Sequence, residues 1–225
     1  MSDKLKYIFT YYWPGILGAA LAIILAVTWV TNILNQKEAV LSGYMLNSTS
    51  NTSYAGDFVQ EFMDFRGING ETHSVNLTSD IMLSVSEYSD SSLAVMESVT
   101  VRIVTGELDF VIADLNTYPI LSAYFADPKT LLTAEQQEKW KDNFVYVEKA
   151  SLDKLKSDDV DTIEIPEYHL STEDLTDPVA MGIRIPATSP LMDAYFFPEG
   201  EVIFGITQSV QNIENTLAFL EYIME

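Results

Sequence analysis

Hydrophobic positions along this chain fall into two textures. The first is a single block, Tyr7 to Gln36, thirty residues without a charged side chain, bracketed by Lys4 and Lys6 before it and by Lys37 and Glu38 after it. A bilayer core of ~30 Å needs about 20 helical residues at 1.5 Å each. Ile16–Ile33 with its flanks supplies that length and predicts one transmembrane helix. The second texture is an alternation of short apolar segments. Ala39–Leu46 predicts a first strand and Asn47–Ser53 a polar loop. Over Tyr54–Arg66, Phe58, Val59, Phe62, Met63 and Phe65 stand against Asp57, Gln60, Glu61 and Asp64, which predicts a helix stopped by Gly67. His73–Leu83 alternates around Asn76 and predicts a second extended segment, broken near Ser79-Asp80.

Further along, Leu93, Met96, Val99 and Ile103 repeat at helical spacing, with Ser89–Ser92 as a candidate cap. The β-branched run Val99–Thr105 suits a strand equally well, so the pattern leaves both open. Leu108–Ala113 is a continuous apolar run broken by one acid, the mark of a buried strand. A short helical piece around Ile120–Phe125 precedes a helix over Thr133–Lys141, opened by the capping box Thr133-Ala-Glu-Gln136. Phe144–Val147, Met181–Ile185 and Val202–Ile206 read as strands. Five prolines between Pro166 and Pro198 exclude long helices there. Asn212–Glu225 closes the chain as a helix with Ile213, Leu217, Leu220 and Met224 along one stripe. Strands and helices in this order predict an α/β domain whose sheet is mostly parallel and covered on both faces.

Charge changes the picture by giving the chain a direction. Of 33 acids, 32 follow Lys37, with nine of the 12 bases, so residues 38–225 carry a net charge near −23. Such a surface repels phosphate backbones, which argues against nucleic acid as a partner. Lys4, Lys6 and the amino terminus precede the block, which puts residues 1–37 down as a cytoplasmic stub plus signal-anchor helix and residues 38–225 as an extracellular domain. Tyr7, Tyr11, Tyr12 and Trp13 fit the inner interface and Trp29 the outer one. Cleavage at Ala20-Leu-Ala22 would leave an exposed apolar start, so the anchor is read as uncleaved. With no cysteine, the exported domain is held by its core alone, which favours a bacterial cell surface.

Candidate chemistry is sparse. The chain has two histidines, His73 and His169, and no G-x-S-x-G, H-E-x-x-H, phosphate loop or G-x-G-x-x-G occurs. Glu167 and His169 lie in a proline-bounded loop. Asp158, Asp159, Asp161 and Glu164 lack the spacing of a calcium loop. No catalytic residue, metal or cofactor is assigned, and the chain is read as a non-enzyme.

Two stretches carry a family resemblance. Gly106-Glu-Leu-Asp-Phe-Val-Ile-Ala-Asp114, followed by Tyr118, Leu121 and Phe125, resembles the part of extracytoplasmic solute-binding proteins of the type 2 periplasmic-binding fold where a helix ends at a Gly-Glu-x-Asp turn and a buried strand leads to the inter-lobe cleft. Gly205-Ile-Thr-Gln-Ser-Val-Gln-Asn212 with Glu214 and Phe219-Leu-x-Tyr-Ile223 is similar to the closing strand and helix of the same proteins, with Thr216 where the family usually has Ala. The resemblance covers Ala39 to about Phe125 and Val202 to Glu225, and it favours helix for Ser92–Thr105. The stretch between is too short for a full second lobe, so a reduced one is expected. In such sheets ligands meet the carboxyl ends of strands. The expected ligand residues are therefore Asn47 and Ser48 after the first strand and Asp114, Leu115 and Asn116 after the third. The implied function is noncovalent recognition of a small solute near a transporter or sensor, with a permease or other membrane protein as partner. The alternative is a degenerate module acting as an interaction or scaffolding subunit.

Overall fold

The computed structural model describes residues 13–34, 37–83, 90–156, 165–198 and 200–225. The chain divides into two units, Met1–Glu38 and Ala39–Glu225. The first holds helix α1 (Trp13–Leu34), 22 residues with no acid in its first turn and no base in its last. It carries no charge, and Leu21, Ile24 and Trp29 are each more than half exposed. Thr28 and Thr31 donate their hydroxyls back to the carbonyls of Ile24 and Val27, so these two hydroxyls are satisfied within the helix. Among the described residues no helix is long and apolar enough to cross a membrane. The expected span accordingly rests on the sequence, on the charge-free block Tyr7–Gln36 and the lysines before it.

The second unit is an α/β domain built on one six-stranded sheet. Its strands are β1 (Glu38–Leu46), β3 (His73–Ile81), β4 (Phe110–Asp114), β5 (Phe144–Glu148), β6 (Pro178–Ile185) and β8 (Val202–Ile206), in the order β3-β1-β4-β8-β6-β5. A two-stranded ribbon pairs β2 (Thr49–Ser50) with β7 (Tyr195–Phe196) outside it. The helices are α2 (Ala55–Arg66), α3 (Asp90–Val104), α4 (Ala134–Lys139), α5 (Lys149–Lys156), α6 (Leu191–Ala194) and α7 (Ile213–Ile223).

The sheet is mixed, which corrects the expectation of a mostly parallel one. β1 and β4 pair in parallel, but β4 with β8, β8 with β6 and β6 with β5 are antiparallel. The expectation rested on strands separated by crossover helices, the connection a parallel pair requires. Beyond β4, α4 and α5 still stand between strands, but the chain returns β5, β6 and β8 antiparallel to the strands they pair with. The same stretch removes the expected reduced second lobe: β5 and β6 join the one sheet, and Ala39–Glu225 forms a single compact unit.

β4 is buried at every position, as its unbroken apolar run requires. Phe110 and Ile112 face one core layer, where Phe58 and Phe62 of α2 and Phe219 of α7 pack edge to face. Val111 and Ala113 face the other, with Val99 and Ile103 of α3 and Tyr118, Leu121 and Phe125 of the 3-10 segment Tyr118–Tyr124 and its end. α3 resolves the helix-or-strand ambiguity: Val99 and Ile103 are buried while Val101 between them is exposed, which a helical period gives and strand alternation, placing all three on one face, does not. The buried face of α7 is Thr216, Phe219, Leu220 and Ile223. It is rotated from the expected stripe, because Ile213, Leu217 and Met224 are only partly covered. Tyr118 is wholly buried, and its ring fills the space a Cβ on Gly205 would take, which explains glycine there. The candidate cap Ser89 and the acidic loop Asp158–Glu164 lie outside the described residues.

Candidate binding site at the carboxyl ends of the strands

β1, β4 and β6 point the same way, since β8 runs antiparallel to both β4 and β6. Their ends meet on one edge, where Val202 is opposite Asp114 on one side and Ile185 on the other. From β1 the chain goes to β3 on one flank and then to β4 on the other, so the strand order reverses beside β1. In open α/β sheets that is where ligands bind.

All five expected residues lie on this edge. Asn47 ends β1 at a positive φ of 52°, which Asn tolerates better than most residues. Its Oδ1 accepts the Leu83 N–H at 2.7 Å. Its Nδ2 donates to the Thr117 hydroxyl at 2.7 Å, to the Leu83 carbonyl at 3.0 Å and to Asp114 Oδ2 at 3.3 Å. Asp114 is buried, and its Oδ1 accepts the backbone N–H groups of Asn116 and Thr117 at 2.9 and 3.0 Å. Its Oδ2 also accepts the Thr117 hydroxyl at 2.8 Å. Ser48 is buried and donates to the Met45 carbonyl at 2.8 Å. Leu115 is half-buried, with its N–H on the Glu201 carbonyl, and the Asn116 side chain is exposed.

These residues therefore come together chiefly as partners of one another. Asn47, Asp114 and Thr117 form a closed knot that ties β1, β4 and the strand end at Leu83. A solute taking the Asn47 amide or the Asp114 carboxylate would have to displace bonds already made. Thr117, central to the knot, was not among the expected residues. Its only sequence signal was its place three residues after Asp114, where a hydroxyl can fold back on a carboxylate.

Beside the knot, and sharing the start of β8, lies a groove of about 500 Å³. Arg184 at the end of β6 pairs with Glu201 at 2.8 Å and donates to the Asp142 carbonyl at 3.3 Å. Asn143 donates to the Arg184 carbonyl at 3.1 Å. The remaining wall is mostly apolar, with Met192, Tyr195, Phe196 and Phe197 on the segment that carries the ribbon. Tyr195 is buried edge-on against Phe58. Burial, with the Asp80 carboxylate adding to it, pushes its phenol up to about 12. Phe196 is 66% exposed. Sequence reasoning missed this groove, because Thr49–Ser50 and Tyr195–Phe196 are too short to read as strands and pair across some 145 residues.

The opposite edge has a different centre. Asp109, 1% exposed, accepts the Ser42 N–H on Oδ2 at 2.9 Å, and on Oδ1 the N–H groups of Gln211 and Asn212 at 3.0 and 2.9 Å. The Asn212 amide adds a bond to Oδ2 at 3.1 Å. The two stretches that carry the family resemblance thus touch at Asp109 and Asn212. Gln211 and Asn212 immediately precede α7, so this carboxylate caps that helix from a distance. Among the described residues no group of three or more His, Asp or Glu side chains is arranged to hold a metal ion. In comparisons with known proteins, no family description, no curated protein and no solved structure matches this chain.

Proposed function

We propose that this chain is a membrane-anchored, extracytoplasmic, solute-binding-like protein that recognises a small solute noncovalently. The observation that carries the reading is the groove where β6 ends and β8 begins. It lies on the edge where open α/β sheets take ligands, and its volume of about 500 Å³ is within the usual ~300–1,000 Å³ range of small-molecule sites. The site moves from the expected residues Asn47, Ser48, Asp114, Leu115 and Asn116 to the adjacent groove, whose edge Leu115 meets through its N–H on the Glu201 carbonyl. Anchorage is supported by the charge-free, mostly apolar helix Trp13–Leu34, ~33 Å long, and orientation by Lys4 and Lys6 before it. A type 2 periplasmic-binding ancestry, a bacterial surface and a permease or sensor partner belong to the same proposal.

A second reading, an interaction or scaffolding subunit of a membrane assembly, is favoured by a separate observation. The polar groups best placed to hold a solute are satisfied by one another, and among the described residues no second lobe stands ready to close on one. Thermal unfolding of the full chain against sugars, amino acids, peptides and small neutral organic compounds separates the two readings. A ligand at ~100 times its dissociation constant adds about 2.7 kcal/mol, which shifts the midpoint by roughly 5–10 °C for a domain of this size. A shift of that size from one compound class supports solute recognition. A flat profile across the library rejects it and leaves the interaction subunit.

A further inference from the structure

We infer that the groove selects an uncharged solute with an apolar body, aromatic or branched aliphatic, and a single hydrogen-bonding head. The inference rests on the solute-recognition reading and names its ligand class. Three features of the lining carry it. First, among the described residues the groove holds one cation and one anion, and they are spent on each other: Arg184 lies 2.8 Å from Glu201. Neither is left over to match an ionic ligand, and a chain of net charge −21 repels anions at long range. Second, the polar side chains of the lining are Asn143, Arg184, Glu201 and Tyr195, and the first three are already engaged: Arg184 with Glu201 and the Asp142 carbonyl, Asn143 with the Arg184 carbonyl, which disfavours the ring of hydroxyls on a sugar. One head group can still share the Asn143 amide or the outer edge of the Arg184 guanidinium.

Third, the apolar surface is already exposed and has something to gain. Phe196 stands 66% exposed on a two-residue strand, with Met192 and Phe197 also lining the groove. An apolar body laid against this ring removes area from water on both partners, at roughly 25 cal/mol per Å². The ribbon that carries Phe196 has two paired positions, Thr49 with Phe196 and Ser50 with Tyr195. So short an element adjusts at little cost to the shape of what it covers.

The test is calorimetric titration of the full chain in nanodiscs, with empty nanodiscs as blank. Indole and isovaleramide are the neutral apolar probes; glucose, glutamate, benzylamine and inorganic phosphate are the contrasts. Saturable binding is expected for a neutral probe, with a negative heat-capacity change and an affinity unmoved between about 50 and 500 mM salt. Phe196→Ala should weaken it by about tenfold or more. Val104→Ala, which trims another exposed apolar side chain on α3, should change it less than about twofold. Binding of a charged or polyhydroxy probe in preference to the neutral ones overturns the inference and leaves solute recognition standing. Neutral-probe binding that ignores Phe196→Ala overturns the assignment to this groove. If no probe binds and the wider thermal-unfolding library is also flat, both fall.

Discussion

At Asn47 one carboxamide reaches three separate pieces of chain: Leu83 just past β3, the end of β4 at Asp114, and Thr117 beyond it. Asn47→Ala removes the donor and the acceptor together, leaves the Leu83 N–H and the Thr117 and Asp114 oxygens short of a partner, and puts a Cβ-bearing residue without a polar side chain at positive φ. A loss of about 2–3 kcal/mol in denaturant unfolding is expected, since each unmet buried group costs about 1–3 kcal/mol. The same substitution should leave affinity for any groove ligand within about twofold, because the Asn47 side chain bonds Leu83, Thr117 and Asp114, none of which lines the groove. Tyr195 gives a pH signature. Its phenol is raised to about 12 in the folded chain against about 10 when unfolded, first by burial and then by Asp80. Folding thus favours the protonated form. That contribution is fully present below about pH 10 and is lost as pH rises toward 12. Stability measured across this range should fall, and Tyr195→Phe should flatten the part of the fall that belongs to this ring.

Among the elements, α7 depends on a residue just over a hundred positions away. Its own N-cap, Asn212, makes no side-chain cap, and the Asp109 carboxylate meets the Gln211 and Asn212 N–H groups instead. Asp109→Ala should cost about 2–4 kcal/mol, in the range of charge-assisted and buried hydrogen bonds. Hydrogen exchange should quicken in Ile213–Ile223 well beyond any change in Ala55–Arg66, whose end is held by Gly67 in the left-handed region at φ 71°. Asp109→Asn, which keeps an acceptor, should recover part of the loss. Elements with local signals were legible. The capping box at Thr133 and Gln136 is present with both of its bonds, and Val202–Ile206 is a strand with the expected bounds. α5, Lys149–Lys156, was missed because its mean hydropathy is low and, among its described side chains, Leu152 alone is buried.

For the molecule as a whole, the balance of surfaces sets the next prediction. A charge-free, mostly apolar 22-residue helix and a domain carrying nearly all of the 33 acids ask for different solvents. Removal of residues 1–36 should move the protein from the carbonate-resistant membrane fraction to the soluble one, with the cooperative unfolding of residues 37–225 retained. Recovery of the full chain in the soluble fraction would reject the anchor. Since Ala39–Glu225 is one compact unit, ligand saturation should leave its radius of gyration unchanged in small-angle scattering. A measurable contraction would show closure of two bodies instead.

What the sequence determined by itself was whatever depends on neighbours a few residues apart. The charge-free block predicts a long apolar helix, periodicity predicts α2 and α7, continuous apolarity predicts β4, and turn chemistry ends each element. The five residues expected at the strand ends do gather on one edge, because a buried strand delivers the residues after it to the sheet's rim. Tertiary structure decided the rest. Strand direction after β4 depends on where a proline-rich connection returns, and no short-range pattern around β6 records that. The roles of Asn47 and Asp114 depend on Leu83 and Thr117, which only the packed sheet brings into hydrogen-bond reach of the Asn47 amide. The groove depends on Arg184 meeting Glu201 and on a ribbon joining Thr49–Ser50 to Tyr195–Phe196. Contacts across such separations exist only once the core has formed, because closing those loops costs entropy that local sequence cannot offset.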